Sequence, residues 1–247
     1  MIPLRDDNPT RTLPVVTIGL IAANVAVYLY QWALPDLRGL IFQYTYAAIP
    51  VVLLGKAQLA QVLPSQVVAA AGQYGVPITP LQPIWPTIFT AMFLHGGLAH
   101  IGGNMLYLWI FGNNVEDVLG HFRFLVFYLL CGLLAAALQI GFSLGSPVPM
   151  IGASGAIAGV LGAYYVKFPQ TRVLCVVFFF FITLVWVPAG LVLLLWFLLQ
   201  VLDSLGMVGR QAAGGVAVFA HIGGFVAGWI LVRRLTPPRR PLRRIEW

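Results

Sequence analysis

Three short stretches of this 247-residue chain hold the side chains able to do chemistry. HGGLAHIGGN, residues 95–104, carries His95, His100 and Asn104. IGASGAIAG, residues 151–159, carries a lone Ser154 among small residues. GGVAVFAHIGGFVAG, residues 214–228, carries His221. A serine hydroxyl is a weak nucleophile until a neighbouring base accepts its proton, and histidine is the commonest such base. A tetrahedral intermediate of acyl transfer also needs hydrogen-bond donors for its oxyanion. His100, the Asn104 amide and the Ser154 backbone N–H are donors of that kind. None of the three stretches contains an aspartate or glutamate, so the set reads as a Ser–His dyad and not a triad. Taken singly, each residue also has a plain structural use: a serine among glycines packs helices, and a membrane histidine donates a structural bond or relays protons. The chemistry needs no metal and no cofactor.

These residues can meet only if the chain brings them together, and its composition says how. The sequence is 60% hydrophobic and 9% charged, too little charge for the surface of a soluble domain. Several apolar runs approach or exceed the ~18 residues that argue for a bilayer-spanning helix. We expect an all-α polytopic membrane protein with six spans, near residues 14–33, 97–115, 122–142, 152–167, 184–202 and 214–234, and a long first extracytoplasmic loop. Residues 173–183 fit either a helix or another element. Residues 1–13 read as a polar cytoplasmic segment and 235–247 as a basic cytoplasmic tail able to anchor topology or meet anionic lipid. With both termini inside, eleven of the 14 Lys and Arg residues fall on the cytoplasmic side, in keeping with the positive-inside rule. The net charge of +7 then needs no nucleic acid to explain it. Cys131 and Cys175 lie in separate apolar runs and read as buried free thiols.

This topology makes spans two, four and six run in the same direction, so residues near their starts share one depth in the outer half of the bilayer. His221 would sit roughly 10 Å below the surface at ~1.5 Å per residue. Ala217, His221, Gly224 and Gly228 form a small-residue stripe on span six. Ser154, Ala158 and Gly162 form one on span four, with Gly155 and Gly159 beside it. Such stripes allow close helix approach, which would bring Ser154 and His221 within hydrogen-bond reach. Span four is short, so Ser154 would lie in a recess open to water.

The combination resembles the rhomboid family of intramembrane serine proteases. The resemblance rests on His95-x4-His100-x3-Asn104, on Gly152-Ala-Ser154-Gly155 and on Ala220-His221-x2-Gly224-x3-Gly228, and it covers residues 14–234. It implies a six-helix protease domain with Ser154 as nucleophile and His221 as base. His100, Asn104 and the Ser154 amide would be the oxyanion donors. His95 would be a structural member of the first motif, bonding loop backbone, and Glu116 a structural carboxylate at the cytoplasmic end of span two. Gly224 and Gly228 would hold spans four and six together. Two positions depart from the family pattern. Trp85 lacks a following arginine, and Ala158 stands where an aromatic often stacks on the histidine.

The expected activity is a serine endopeptidase that cuts single-span or polytopic membrane proteins within or beside their spans, admitting them laterally near span five and loop 203–213. The expected setting is a prokaryotic plasma membrane, with the site opening outward. A non-catalytic relative that binds membrane helices, or a small transporter relaying protons through His100 and His221, is the competing reading. Intramembrane carboxylates, which a proton relay would favour, are missing from the expected spans.

Overall fold

The computed structural model describes residues 2–178, 182–204 and 218–237. A strand β1 (Ile2–Asp6) precedes the first long helix, α1 (Val15–Ala33). Five shorter helices follow: α2 (Asp36–Tyr46), α3 (Pro50–Leu53), α4 (Leu59–Val62), α5 (Ser65–Gln73) and α6 (Thr87–Thr90). Next come α7 (Leu98–Leu119), α8 (His121–Phe142) and α9 (Ser154–Lys167). Strands β2 (Arg172–Phe178) and β3 (Ile182–Pro188) then lead into α10 (Ala189–Ser204), and α11 (Val218–Leu235) closes the described chain. Three of these helices, α1, α8 and α11, are long and apolar enough to cross a bilayer. α7 matches them in length but carries Asn104, Asn113, Asn114, Glu116 and Asp117. α9 has 14 residues, ~21 Å of helix against a hydrocarbon core of ~30 Å.

Two boundaries differ from the sequence reading. The fifth helix starts at Ala189 and not at residue 184, because Ile182–Pro188 pairs antiparallel with Arg172–Phe178 in the order β1-β2-β3. The segment 173–183 therefore contributes mainly to strands, and β1 makes the polar amino-terminal segment part of the same sheet. The second helix runs on to Leu119 and stops where Gly120 takes φ +77°, so Glu116 and Asp117 sit in its last turn. Residues 205–217, which include most of loop 203–213, Ala217 and the expected start of the sixth span, lie outside the described residues, as does the basic tail from 238 onward.

α9 is the hub. Every residue from Ala156 to Tyr164 is buried, as expected of a helix that is apolar all round. Its closest neighbour is α11, and there backbone meets backbone. A Cβ on Gly224 would land on the Gly155 carbonyl oxygen, and one on Gly228 would land on the Gly159 carbonyl. A Cβ on Gly162 would strike the Phe225 carbonyl. The Ser154–Ala158–Gly162 face read from spacing does meet α11, at His221, Gly224 and Phe225, and the neighbouring Gly155 and Gly159 add their carbonyls to that seam. On the far side, Gly159 approaches Cys131 of α8, and both Cys131 and Cys175 are buried free thiols.

The opposite end of the bundle is tied by carboxylates. Glu116, with no exposure, accepts hydrogen bonds from Val16 N (2.9 Å), Thr17 N (2.8 Å), Thr17 Oγ1 (2.7 Å) and His121 Nδ1 (2.6 Å). It caps the first turn of α1, whose N–H groups have no partner within their own helix. Asp117 accepts from Thr12 N at 3.0 Å and Thr12 Oγ1 at 2.7 Å. Asp6 on β1 accepts from Tyr164 Oη at 2.5 Å and Asn114 Nδ2 at 2.8 Å, clamping the sheet onto α7 and α9. At the site end, the segment 36–94 packs a small core of its own around Ala47, Ile49, Leu59, Leu63 and Leu94. It holds the strap before α9 through reciprocal backbone bonds between Ala48 and Met150.

Two expectations follow. Gly228→Ala should lower stability by about 1–3 kcal/mol, the usual cost of overpacking, whereas Gly19→Ala, with open space around it, should not destabilise; thermal unfolding in detergent separates them. Burial raises the Asp6 carboxyl above its ordinary value of 3.8, against the opposing hydrogen bond from Tyr164. Its contribution is therefore full below 3.8 and is lost as pH rises through the raised value. Asp6→Asn, which keeps an acceptor oxygen, should match the wild type in acid and exceed it in stability at neutral pH.

Candidate active site

Ser154 is the first residue of α9, with Ala153 at the cap position. The first hydrogen bond within the helix runs from Ile157 N to the Ala153 carbonyl, so the Ser154 N–H is one of the terminal donors left over. The positive end of the helix dipole lies at the same place. His221 is the fourth residue of α11, and Gln139 of α8 fixes its depth by accepting from Ala220 N at 3.1 Å. The glycine seam then sets the separation: His221 Nε2 lies 2.8 Å from Ser154 Oγ.

The donor side is built from α7 and the strap. His100 Nδ1 accepts from Gly96 N at 3.3 Å, which in a neutral ring leaves the proton on Nε2. That nitrogen points at Gly152: a Cβ there would come within 2.7 Å of His100 Nε2 and 3.6 Å of Asn104 Nδ2. Gly152 also holds φ +113°, a conformation that side chains rarely adopt, and its N–H bonds the Ala91 carbonyl at 2.8 Å. Asn104 Nδ2 is buried and has no hydrogen-bond partner among the described residues. A buried amide left open in this way has its donors available to a group entering the site. Ser154, His221, His100 and Asn104 all line one cavity of about 770 Å³, together with Met150 and Trp196.

Other sequence-predicted residues lie elsewhere. His95 is buried beside the Phe93 backbone with its ring edge-to-face on His100, 5.0 Å between centroids. The bond to loop backbone expected of its ring is not made at ordinary length. Instead its main chain is held by Gln31, which accepts from His95 N at 3.1 Å. Glu116 is at the far end of α7, and Trp85 is 59% exposed. Among the described residues, no three His, Cys, Asp or Glu side chains group as metal ligands.

Two contacts on His221 escaped the sequence reading. Trp196 of α10 lies 5.7 Å from the imidazole, centroid to centroid, at an interplanar angle of 42°. Gln200 Oε1, one turn further along α10, is 2.9 Å from His221 Nδ1. An aromatic ring does lie beside the His221 imidazole, from α10 and not from position 158. The i, i+4 spacing of Trp196 and Gln200, which puts both on one face of the helix, was the available signal. For the strap, the outcome to expect is that Gly152→Ala displaces His100 and cuts the reaction of Ser154 with a fluorophosphonate at least ~10-fold, as measured by labelling rate.

Residues 82–237 match the sequence model of the rhomboid domain, well over half of the chain. The rhomboid protease GluP of Bacillus subtilis is 44% identical over 82 residues, 33% of this chain and 16% of that protein. Rhomboid protein 1, mitochondrial, of Saccharomyces cerevisiae is 33% identical over 96 residues, 37% of this chain and 28% of that protein. The human presenilin-associated rhomboid-like protein, mitochondrial, is 29% identical over 156 residues, covering 62% of this chain and 33% of its own length. The chain thus spans a third or less of these relatives. With the apolar helices and the domain match together, this chain belongs to the rhomboid family of membrane proteins.

Proposed function

We propose that this protein is an intramembrane serine endopeptidase that cleaves membrane-anchored proteins within or beside their spans. The observation that carries the reading is the 2.8 Å contact between Ser154 Oγ and His221 Nε2 on a cavity shared with the unpartnered Asn104 amide. Ser154 gives its proton to His221 Nε2 while Oγ attacks the scissile carbonyl carbon. Negative charge develops on the carbonyl oxygen, and His100 Nε2–H, Asn104 Nδ2–H and the Ser154 N–H donate to it. The imidazolium returns its proton to the leaving nitrogen as the C–N bond breaks, and an acyl-enzyme remains. Water from the cavity gives a proton to the same imidazole and attacks the acyl carbon; the Oγ–C bond then breaks, the imidazolium returns its proton to Ser154 Oγ, and the fragment leaves as a carboxylic acid that ionises.

A helical substrate hides its carbonyls in its own hydrogen bonds, so it must unwind before attack. Helices with small residues near the cut meet that need best. A side cavity of about 40 Å³ next to Ser154, bounded by Met92, Gly132, Ala136 and Ala220, supports a preference for a small side chain there. In this reading α1, α7, α8, α9, α10 and α11 make a six-span domain within residues 14–234. Both termini are cytoplasmic, and the cavity opens to the other side. The distribution of Lys and Arg supports that orientation, and the setting we propose is a prokaryotic plasma membrane, that of the bacterial relative, with the membrane of the two mitochondrial relatives as the alternative.

The test is covalent capture in detergent or liposomes. A fluorophosphonate should label the wild type at Ser154, and a membrane-anchored reporter should be cut. Ser154→Ala and His221→Ala should do neither, while Asn104→Ala should lower kcat by about 10²-fold. A folded wild type that never labels, or reporter cleavage that persists in Ser154→Ala, would sink the mechanism. Unchanged binding of membrane helices without cleavage by the wild type would favour the non-catalytic alternative.

A further inference from the structure

We propose that Gln200 is the positioning residue of the catalytic base, holding the His221 imidazole in the one tautomer that can accept the Ser154 proton. The proposal rests on the protease reading above and adds a third helix to it. A neutral imidazole carries one N–H and one bare nitrogen, and general-base chemistry needs the bare nitrogen at Nε2. Nε2 faces Ser154 Oγ at 2.8 Å, and on the opposite edge Nδ1 faces Gln200 Oε1 at 2.9 Å. An amide oxygen can only accept, so it keeps the proton on Nδ1. The same geometry aims the ring plane, and Trp196, one turn earlier on α10, covers the ring at 5.7 Å. One face of α10 therefore grips the base from two sides.

The residue type suits the setting. A carboxylate in this position would steady the imidazolium more strongly, but a charge inside the membrane is costly in the resting enzyme. A neutral amide orients the ring without that cost. It also explains how the site works with no aspartate or glutamate in contact with His221 among the described residues. The titratable neighbours of His221 are Ser154 on α9 and His100 on α7, which bears on it electrostatically. The groups facing it from α10 are the neutral Trp196 and Gln200, and on the α8 side Gln139, also neutral, bonds the adjacent Ala220 N.

The test compares Gln200→Met, which fills the same space without an acceptor, with Gln200→Glu, which restores one. Both are measured in the full-length protein by fluorophosphonate labelling rate, kcat and KM on an anchored reporter, and thermal unfolding. Gln200→Met should lower kcat and labelling about 10-fold with KM unchanged. Gln200→Glu should recover most of the rate. Its acceptor favours the imidazolium, so the acid limb of its rate profile should move to higher pH. Labelling of Gln200→Met at the wild-type rate overturns the assignment, and so does an unmoved acid limb in Gln200→Glu. Should Gln200→Met also unfold more readily, the glutamate variant alone decides. A wild type that fails to label at all counts instead against the protease reading itself.

Discussion

The site depends on one contact: two helices touching backbone to backbone. Gly224 and Gly228 of α11 lie against the carbonyls of Gly155 and Gly159 on α9, with no room for a side chain between them. In a bilayer, helices gain nothing by hiding apolar surface from one another, so close packing and polar contacts must carry the association. Here that close approach also sets a chemical distance. Ser154 opens α9 beside the seam and His221 lies one turn before Gly224, so the separation of helix axes fixes the 2.8 Å between Ser154 Oγ and His221 Nε2. Any residue larger than glycine along the seam would lengthen both together.

The remaining groups suit a setting in which charge is expensive. Among the described residues, no carboxylate lines the cavity beside Ser154. Donors are supplied by an imidazole, an amide and a helix end, each held by an ordinary backbone contact. Gly96 fixes the proton on His100, and Gly152 makes room for that ring with a backbone shape no other residue adopts easily. Among the described residues the buried Asn104 amide nitrogen has no partner, a local cost in stability.

Much of this was legible in the residues. Hydropathy located the long helices to within a few positions, and the direction of the chain put Ser154, His221, His100 and Asn104 at one level. Hydropathy could not separate a strand from a helix in the run 173–202, since both bury apolar side chains. The clue was the alternation that turns Val173 and Cys175 inward, in a stretch rich in β-branched and aromatic residues. Trp196 and Gln200 lay on one face of the expected fifth span, but spacing alone does not say that this face meets His221. The small-residue stripes marked both sides of the contact, Gly224 and Gly228 on α11 and Ala158 and Gly162 on α9, but spacing does not say that the α11 glycines meet backbone carbonyls. Nothing local to Ile2–Asp6 announced a strand, whose partner lies some 170 residues later.

The knot around Glu116 has a mechanical consequence. One buried carboxylate gathers the beginning of α1, the end of α7 and the first residue of α8, and Asp6 and Asp117 reinforce the same end. The cavity beside Ser154 lies at the other end of α7, bounded by the strap and by α10. One end of the bundle is thus held by carboxylates and the other by glycine packing and a backbone strap. The first answers to proton concentration and the second to side-chain volume, so the two ends can be loosened independently.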